Sequence, residues 1–523
     1  MYSLGAALLH SSRKRSIHLQ ESIEGPSDIG NDKLNGAGCE ELPDFIERER
    51  FPACGGREPV ISPQFAERQL SHDPEIGAHD ANDCSSSDCG QLAKHLLALI
   101  DRFNPRISSG EPADYSPSFI LRRAGKLIPS FRIGGLMITR RSFIIASGMT
   151  ALASTRVFGA NDKVRVGVIG AGHRMKGLLD AADKGAGVSY EIVAVSDVYG
   201  PNRDAVKDRS NGLATTHLDY REVLDKNVDA VIIASPDHWH VAMAADALKA
   251  GKDVYLEKPV THTLEEGATL TKAVRSGKQI LQCGMQQRSW THFRDAVDLI
   301  QAGSLGRVAQ VRTYWWQNYQ RNWAMKPADQ QALDWKMGLG SAPEQAFSDE
   351  KFAHWRWFWN FGGGAMTDLF THWIDVVHWA MKADAPKQAF MLGDKQVFDQ
   401  WDCPDTIQAA FRYPGFDVVY EGMMASSIDD GGLEFRGTEA TLKIDRNGFS
   451  VHREGVPRDQ NPVLSSKSYR DGTITHMENF FDCIKTRKEP NAPVETGVAA
   501  ARAGQIGNLA YSKGGQVSWP ARA

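Results

Sequence analysis

The chain has 523 residues, 42% of them apolar and 24% charged, with a net charge of −4, which leaves room for about two to four domains. That composition excludes a wholly disordered, collagenous or coiled-coil protein. The balanced charge provides no basic field for nucleic acid or for stable attachment to an anionic membrane, so a neutral or mildly anionic small molecule is the expected partner. Seven cysteines without a paired Cys-x-x-Cys arrangement supply neither a disulfide framework nor a structural zinc site.

Residues 1–136 are rich in Ser, Gly, Pro and charge and show little periodicity apart from a short possible helix at 91–103. The stretch reads as poorly ordered, or as a mistaken extension of the gene model. Residues 137–160 differ in character: Thr139-Arg140-Arg141-Ser142-Phe143 precedes an apolar run at 144–152 and then small residues to Gly159-Ala160. This is the order of a twin-arginine export signal, with an apolar run too short to span a bilayer. The alternative is an ordinary helix that carries two arginines. A signal belongs at an N-terminus, so Met137 is read as the true start and the location as periplasmic. With Met1 as the start, the protein would be cytoplasmic.

Lys163-Val-Arg-Val-Gly-Val-Ile169 followed by Gly170-Ala171-Gly172 predicts a strand, a tight turn and a helix. That unit lets a pyrophosphate approach the N–H groups of a helix start. Met175 stands where a third glycine is usual. The next strand, Glu191-Ile-Val-Ala-Val-Ser196, ends in Asp197, at the spacing expected for a carboxylate on the adenosine ribose; such a carboxylate repels a 2′-phosphate and favours NAD. Asp197 could also be a simple strand-end turn residue.

A third strand, 230–234, runs into Ser235-Pro236-Asp237-His238-Trp239-His240, and a helix at 241–250 leads to the strand 253–256 and then Glu257-Lys258-Pro259. The alternation predicts a parallel sheet with ligands at the strands' carboxyl ends. His238 and His240 have no nearby third ligand, so no metal is expected. Lys258 follows a buried strand and is expected to present a partly desolvated ammonium suited to proton transfer.

In combination and order, Gly170-Ala-Gly172, Ser235-Pro236 with His240, Ala250-Gly251-Lys252 and Glu257-Lys258-Pro259 resemble the Gfo/Idh/MocA oxidoreductases. The resemblance implies an N-terminal Rossmann domain at 161–286. It also implies a C-terminal α/β domain at 287–523 with a large open, mostly antiparallel sheet and association of copies through that sheet. It places Lys258 at the nicotinamide. The cofactor residues it implies are Gly170, Gly172, His173, Arg174, Asp197, Ser235, Pro236, His240, Glu257 and Lys258.

The second half supports this from its own patterns. Strand-like runs at 308–316, 387–397, 406–412, 417–424 and 434–452 follow one another, with Tyr413-Pro-Gly415 and Arg446-Asn-Gly448 as turns, which predicts antiparallel pairing. An alanine-rich helix at 496–512 is expected to pack back onto the first domain.

Between them, Gly362-Gly363-Gly364 opens a helical run in which Asp368, His372, Asp375 and Trp379 lie opposite an apolar stripe. Asp368 and His372 are i,i+4 neighbours, so the carboxylate can orient the imidazole; a solvated helix face is the bland alternative. The resemblance makes Asp368 and His372 the catalytic pair with Lys258. His372 is expected to take a hydroxyl proton as hydride leaves the carbinol, and Lys258 to polarise the developing carbonyl. Arg288, Trp359 and Asp375 are the expected substrate residues, although Asp375 could instead cap the polar face. Nine of thirteen tryptophans lie between Trp315 and Trp379 at irregular spacing, which suggests a carbohydrate pocket or a subunit interface. The expected activity is NAD-dependent oxidation of a sugar, polyol or glycoside. Glycoside cleavage through transient oxidation and a non-catalytic sugar sensor are the alternatives.

Overall fold

A computed structural model describes residues 163–322, 326–428, 430–457 and 462–519, together with the backbone of a hairpin pairing Ser130–Ile133 with Leu136–Thr139. The hairpin straddles residue 136, where composition predicts no element. Gly134-Gly135 between its strands is the local signal that bulk composition hides. The rest of the expected export signal, from Arg140 to Ala160, lies outside the described residues.

Short β-branched runs build the first domain. Strands β1 (Val164–Ile169), β2 (Tyr190–Ser196), β3 (Thr215–His217), β4 (Ala230–Ile233), β5 (Asp253–Leu256) and β6 (Leu281–Cys283) form a sheet in the order β3-β2-β1-β4-β5-β6. Every neighbouring pair is parallel. β4 and β5 are buried along their whole length, as strands covered on both faces must be. Helices α1 (His173–Asp183), α2 (Gly200–Arg209), α3 (Tyr220–Leu224), α4 (His240–Lys249) and α5 (Glu266–Arg275) connect them. Strand order reverses between β1 and β4, which opens a crevice at their carboxyl ends.

Beyond α6 (Thr291–Gln301), the second domain begins with β7 (Gln310–Trp316) and α7 (Phe370–Met381). Strands β8 (Gln388–Asp394), β9 (Thr406–Tyr413), β10 (Phe416–Met423), β11 (Gly431–Arg436), β12 (Ala440–Ile444), β13 (Gly448–Arg453) and β14 (Leu464–Lys467) follow. Helices α8 (Gly472–Thr486) and α9 (Val494–Ser512) and a final strand, β15 (Val517–Ser518), complete the chain. The nine-stranded sheet runs β14-β13-β12-β11-β7-β10-β9-β8-β15 and is antiparallel except where β7 lies beside β10. Burial alternates along β9, with Ile407, Ala409 and Phe411 inside and Gln408, Ala410 and Arg412 outside. One face therefore packs on α6 and α7 and the other is open.

Two helices return to the first domain, where the pattern predicts one. Met477, Phe480, Phe481 and Ile484 of α8 join Met175, Leu178 and Leu179 of α1 in one core. α9 touches both domains through glycines. A Cβ at Gly497 would come within 2.6 Å of Cys283 Sγ, and one at Gly504 within 2.5 Å of the Met366 carbonyl oxygen. Gln505 on the same helix donates to the Thr261 carbonyl at 2.9 Å, and Asn508 to that of Gly363 at 2.8 Å. Among the described residues no helix is long and apolar enough to cross a membrane.

Candidate active site

The crevice begins at Gly170, whose φ of 76° belongs to the left-handed region, and where a Cβ would stand 2.6 Å from the Ser235 backbone nitrogen. Only glycine lets the loop pass so close to the end of β4. Gly172 caps α1 without a side-chain hydrogen bond and has no neighbour within 4 Å of where a Cβ would stand. The first turn, starting at His173, therefore offers its N–H groups to an anion. Met175 is fully buried, so the gap between helix and strand here admits a side chain where a third glycine usually closes it.

Asp197 reaches back to this loop. Its Oδ2 accepts from the Ala171 amide at 2.6 Å and its Oδ1 from the Tyr199 amide at 2.8 Å, while Arg203 donates to its carbonyl. Burial pushes its pKa up, and the two amides partly offset that. The Asn202 side chain also bonds to this carboxylate, which is left with one lone pair for a ribose hydroxyl.

Ser235 follows β4, and Pro236 turns the chain into the short helical turn Asp237–Trp239. His240 differs from its expected cofactor role. Its two ring nitrogens lie 2.7 Å from the Pro259 carbonyl oxygen and 2.9 Å from that of Ser235, so the buried imidazole braces the loop instead. His238 lies 3.2 Å from the Gly338 carbonyl oxygen, and burial lowers its pKa to about 4. Glu257 is also a brace: it accepts from Arg174 at 2.7 Å and Gln286 at 3.1 Å. Burial would raise its carboxyl, but the Arg174 and Lys258 charges outweigh that and hold it below the usual range.

Facing the crevice is a cavity of about 450 Å³ whose wall includes Ser235, Lys258, Gln287, Trp315, Asp368 and His372. The i,i+4 spacing predicts an Asp368–His372 pair, and the geometry differs. A short helix, Gly364–Asp368, ends at Leu369 before α7 starts at Phe370. Asp368 is turned toward the first domain. Its Oδ1 accepts from Lys258 Nζ at 2.6 Å and from Arg356 Nε at 3.1 Å, and its carbonyl accepts from Lys258 at 2.9 Å. Despite burial, those two cations hold Asp368 ionised, below the ordinary carboxylate range. Lys258 is thus an ion-paired ammonium rather than an isolated desolvated one.

His372 takes its orientation from elsewhere. Its Nδ1 donates to Gln287 Oε1 at 3.3 Å and its ring stacks on Trp315 at 5.6 Å. An amide oxygen can only accept, so the proton sits on Nδ1 and Nε2 keeps its lone pair. Burial, reinforced by Lys258, Arg446 and Arg174, pushes the imidazole well below its ordinary pKa, so it is neutral at neutral pH. The arrangement provides a proton acceptor and a proton donor in one water-accessible space.

The expected substrate residues sit elsewhere. Arg288 Nε lies 2.9 Å from both Asp375 oxygens, and Asp375 is 1% exposed. The pair is a buried brace between the Gln286–Ser289 turn and α7, and neither residue lines the cavity. Trp359 offers its carbonyl to His262 at 2.9 Å and its ring lies 6.3 Å from Tyr511, also outside the cavity wall. Within the tryptophan-rich segment Trp315, Trp357 and Trp373 are buried and the other described tryptophans half-buried; Trp357 stacks on Trp401 at 4.7 Å. Trp315 and Trp355 do line the cavity. Trp323 lies outside the described residues. Sequence reasoning misses Gln286 and Gln287, although they follow β6 just as Lys258 follows β5. It reads Arg446 only as part of a turn.

Two family models cover most of the described chain. Residues 164–285 match the oxidoreductase family's NAD-binding Rossmann fold, and residues 297–518 its C-terminal alpha/beta domain. The uncharacterized oxidoreductase YrbE of Bacillus subtilis is 31% identical over 366 residues, 68% of this chain and 96% of that protein. The scyllo-inositol 2-dehydrogenase (NAD(+)) of the same organism is 30% identical over 329 residues, 59% of this chain and 85% of that protein. A levoglucosan dehydrogenase solved with NADH and levoglucosan shares the fold, with a TM-score of 0.56 at 18% identity over 69% of this chain and 100% of that one. The first domain is therefore an NAD-binding domain. Its residues fit the cofactor: the open start of α1 suits a pyrophosphate, Asp197 a ribose, and the buried Ser235 Oγ has no partner among the described residues. The chain belongs to the Gfo/Idh/MocA family of oxidoreductases.

Proposed function

We propose that the chain exchanges hydride between NAD and a ring hydroxyl, or the corresponding ketone, of a sugar, polyol or glycoside. One observation carries the reading: Ser235 of the crevice, the Lys258 ammonium and the His372 imidazole share the wall of a single cavity. NAD, when bound, supplies a nicotinamide that accepts or returns the hydride. In the oxidative direction His372 takes the hydroxyl proton at Nε2. Lys258 donates a hydrogen bond to the oxygen as it becomes a carbonyl. Asp368 fixes that ammonium at 2.6 Å, and Gln287 fixes the imidazole at 3.3 Å. Two of the similar proteins are named for hydroxylated ring compounds, which supports the substrate class. The test is NADH formation by the purified chain over a panel of sugars and polyols, with deuterium at the carbon oxidised. Label in NADH supports the reading. Label returned to the same product molecule points to bond cleavage by transient oxidation, and no label movement with any compound refutes the reading.

The Arg140-Arg141 segment supports export to the periplasm. Lysine at both positions should retain the protein in the cytoplasm, and unchanged fractionation removes the assignment. The open face of the nine-stranded sheet exposes Phe390 and Leu392 on β8, by 40% and 57%, which supports self-association through that face. Light scattering that finds a monomer refutes it.

A further inference from the structure

The charged part of the cavity wall contains the cations Arg174, Lys258, Arg356 and Arg446 and the carboxylates Glu257, Asp368 and Asp471, and these do not pair off evenly. Arg174 is matched by Glu257, while Lys258 and Arg356 share Asp368. Asp471 caps α8 by accepting from the Thr473 amide at 2.8 Å. Among the described residues Arg446 has neither a hydrogen bond nor an ion pair; its contacts are the rings of Trp315 at 4.8 Å and Trp373 at 5.9 Å.

Arg446 stands at the tip of the β12–β13 hairpin, and that tip is held firmly. Asp445 Oδ1 accepts from the Asn447 and Gly448 amides at 2.7 and 3.0 Å, and the Asp445 carbonyl oxygen lies 2.8 Å from His292 Nε2. Arg446 is exposed at the cavity rim; desolvation and the Arg174 charge lower it to about 10 against the opposing pull of Asp430 and Asp471, so it stays cationic at neutral pH. Close by, Gln287 Nε2 is a buried donor with no partner among the described residues.

We propose that Arg446 is the receptor for an anionic group on the substrate, so that the sugar or polyol oxidised here bears a carboxylate or a phosphate. A cation stacked on aromatic rings, with Asp430 and Asp471 near enough to act on it but neither hydrogen-bonded to it, keeps its N–H groups free for the paired oxygens of an anion. The same Trp315 ring lies against the guanidinium at 4.8 Å and against His372 at 5.6 Å. One sugar ring can therefore meet Arg446 with its acidic group and His372 with a hydroxyl. The cofactor's pyrophosphate belongs at the start of α1 in the other domain. The inference rests on the reading of His372 as the base that receives a substrate hydroxyl proton.

The test uses the full chain with NAD and three probes: D-glucose, D-glucuronate and D-glucose 6-phosphate. NADH formation and calorimetric binding are measured for the wild type, Arg446→Gln and Arg446→Lys. The expected wild-type preference for one acidic probe over glucose is at least about tenfold in kcat/KM, the usual scale of one charge-assisted contact. The preferred acid distinguishes carboxylate from phosphate. Arg446→Gln should abolish the preference and Arg446→Lys keep part of it, with NAD affinity changed less than about twofold. Equal use of all three probes by the wild type overturns the proposal, as does an equal loss on all three in Arg446→Gln. Weakened NAD binding in that variant overturns it too, by giving the arginine to the cofactor. If no probe reacts but one acid binds in an Arg446-dependent way, the anion site stands, and the assigned reaction is decided separately by the panel of sugars and polyols. If neither acid binds, the anion site falls.

Discussion

Replacing Asp368 by asparagine keeps the shape of the side chain and removes the charge that two cations share. Lys258 and Arg356 both donate to Asp368 Oδ1, at 2.6 and 3.1 Å, and the side chains of Lys258 and Asp368 are only 11% and 10% exposed. Removing one partner of a buried ion pair costs about 3–5 kcal/mol, mostly because the survivors stay buried without compensation. Two features place this case near the lower end, at about 3 kcal/mol. The Asp368 carbonyl still accepts from Lys258 at 2.9 Å, and Arg356, 28% exposed, can turn toward water. Calorimetric unfolding of both proteins from pH 7 to pH 4 provides the assay. Asp368 is held below its ordinary pKa in the folded state. Its stabilisation is therefore complete above the unfolded value, near pH 4, and is lost as pH falls toward the folded value. The gap between wild type and Asp368→Asn should be widest at neutral pH and begin to narrow below about pH 5. Equal stability at pH 7, or a gap that widens in acid, would refute the ion-pair argument.

Four further outcomes are expected. His372→Ala should lower turnover by about a hundredfold or more while leaving NAD binding intact. Because His372 titrates well below its ordinary value, wild-type kcat/KM should hold level as pH drops through 6.5; a fall at or above that pH contradicts the assignment. Gly170→Ala forces a Cβ to within 2.6 Å of the Ser235 nitrogen at a φ of 76° and should unfold the first domain or lower its melting temperature sharply, whereas Gly172→Ala, with open space around it, should melt like wild type yet bind NAD more weakly. Equal melting temperatures for the two glycine variants would undo the crevice argument. Asp375→Asn should cost stability, about 3 kcal/mol or more by stranding Arg288, and leave KM per folded molecule unchanged; a selective rise in KM would return Asp375 to the substrate.

Much of the first domain was legible because its signals are local. A β-branched run marks each major strand, and Gly170, Ser235 and Lys258 stand where such runs stop. The second sheet was legible as strands, since β9 alternates inside and outside residue by residue. Its order was not, because β7 lies beside β10 through pairings such as Val311 with Val418, far apart in the chain. The site divided in the same way. Lys258 could be placed at the cavity from its local setting, whereas His372 was singled out only through the family resemblance. The partner of Asp368 could not be read locally, because the i,i+4 argument assumes one continuous helix and the chain breaks at Leu369. Irregularly spaced tryptophans suggested a pocket, yet Trp357, ending a single helical turn, and Trp401, in a loop, bury each other where no periodicity announces a core. Arg446 carried only a turn signal, and its place against Trp315 depends on a hairpin contributed from a distant part of the chain.

The glycines of α9 bear on how such a protein can change its substrate over time. Lys258 is carried by one domain and His372 by the other, so the reacting geometry depends on a spacing that no single domain sets. At Gly497 and Gly504 this one helix is pressed against Cys283 on one side and Met366 on the other, with Gln505 and Asn508 bonded across the same joint. Any side chain larger than hydrogen at those two positions would wedge the halves apart. Variation that alters substrate choice is thereby channelled away from the joint and into the hairpin tip that holds Arg446 and the loop that holds Trp355 and Arg356. A mutational library restricted to residues 446, 447 and 355 should yield folded proteins with altered preferences, whereas one directed at 497 and 504, or at Gly448, where a Cβ would collide with the Ser466 carbonyl oxygen, should mainly yield proteins that fail to assemble.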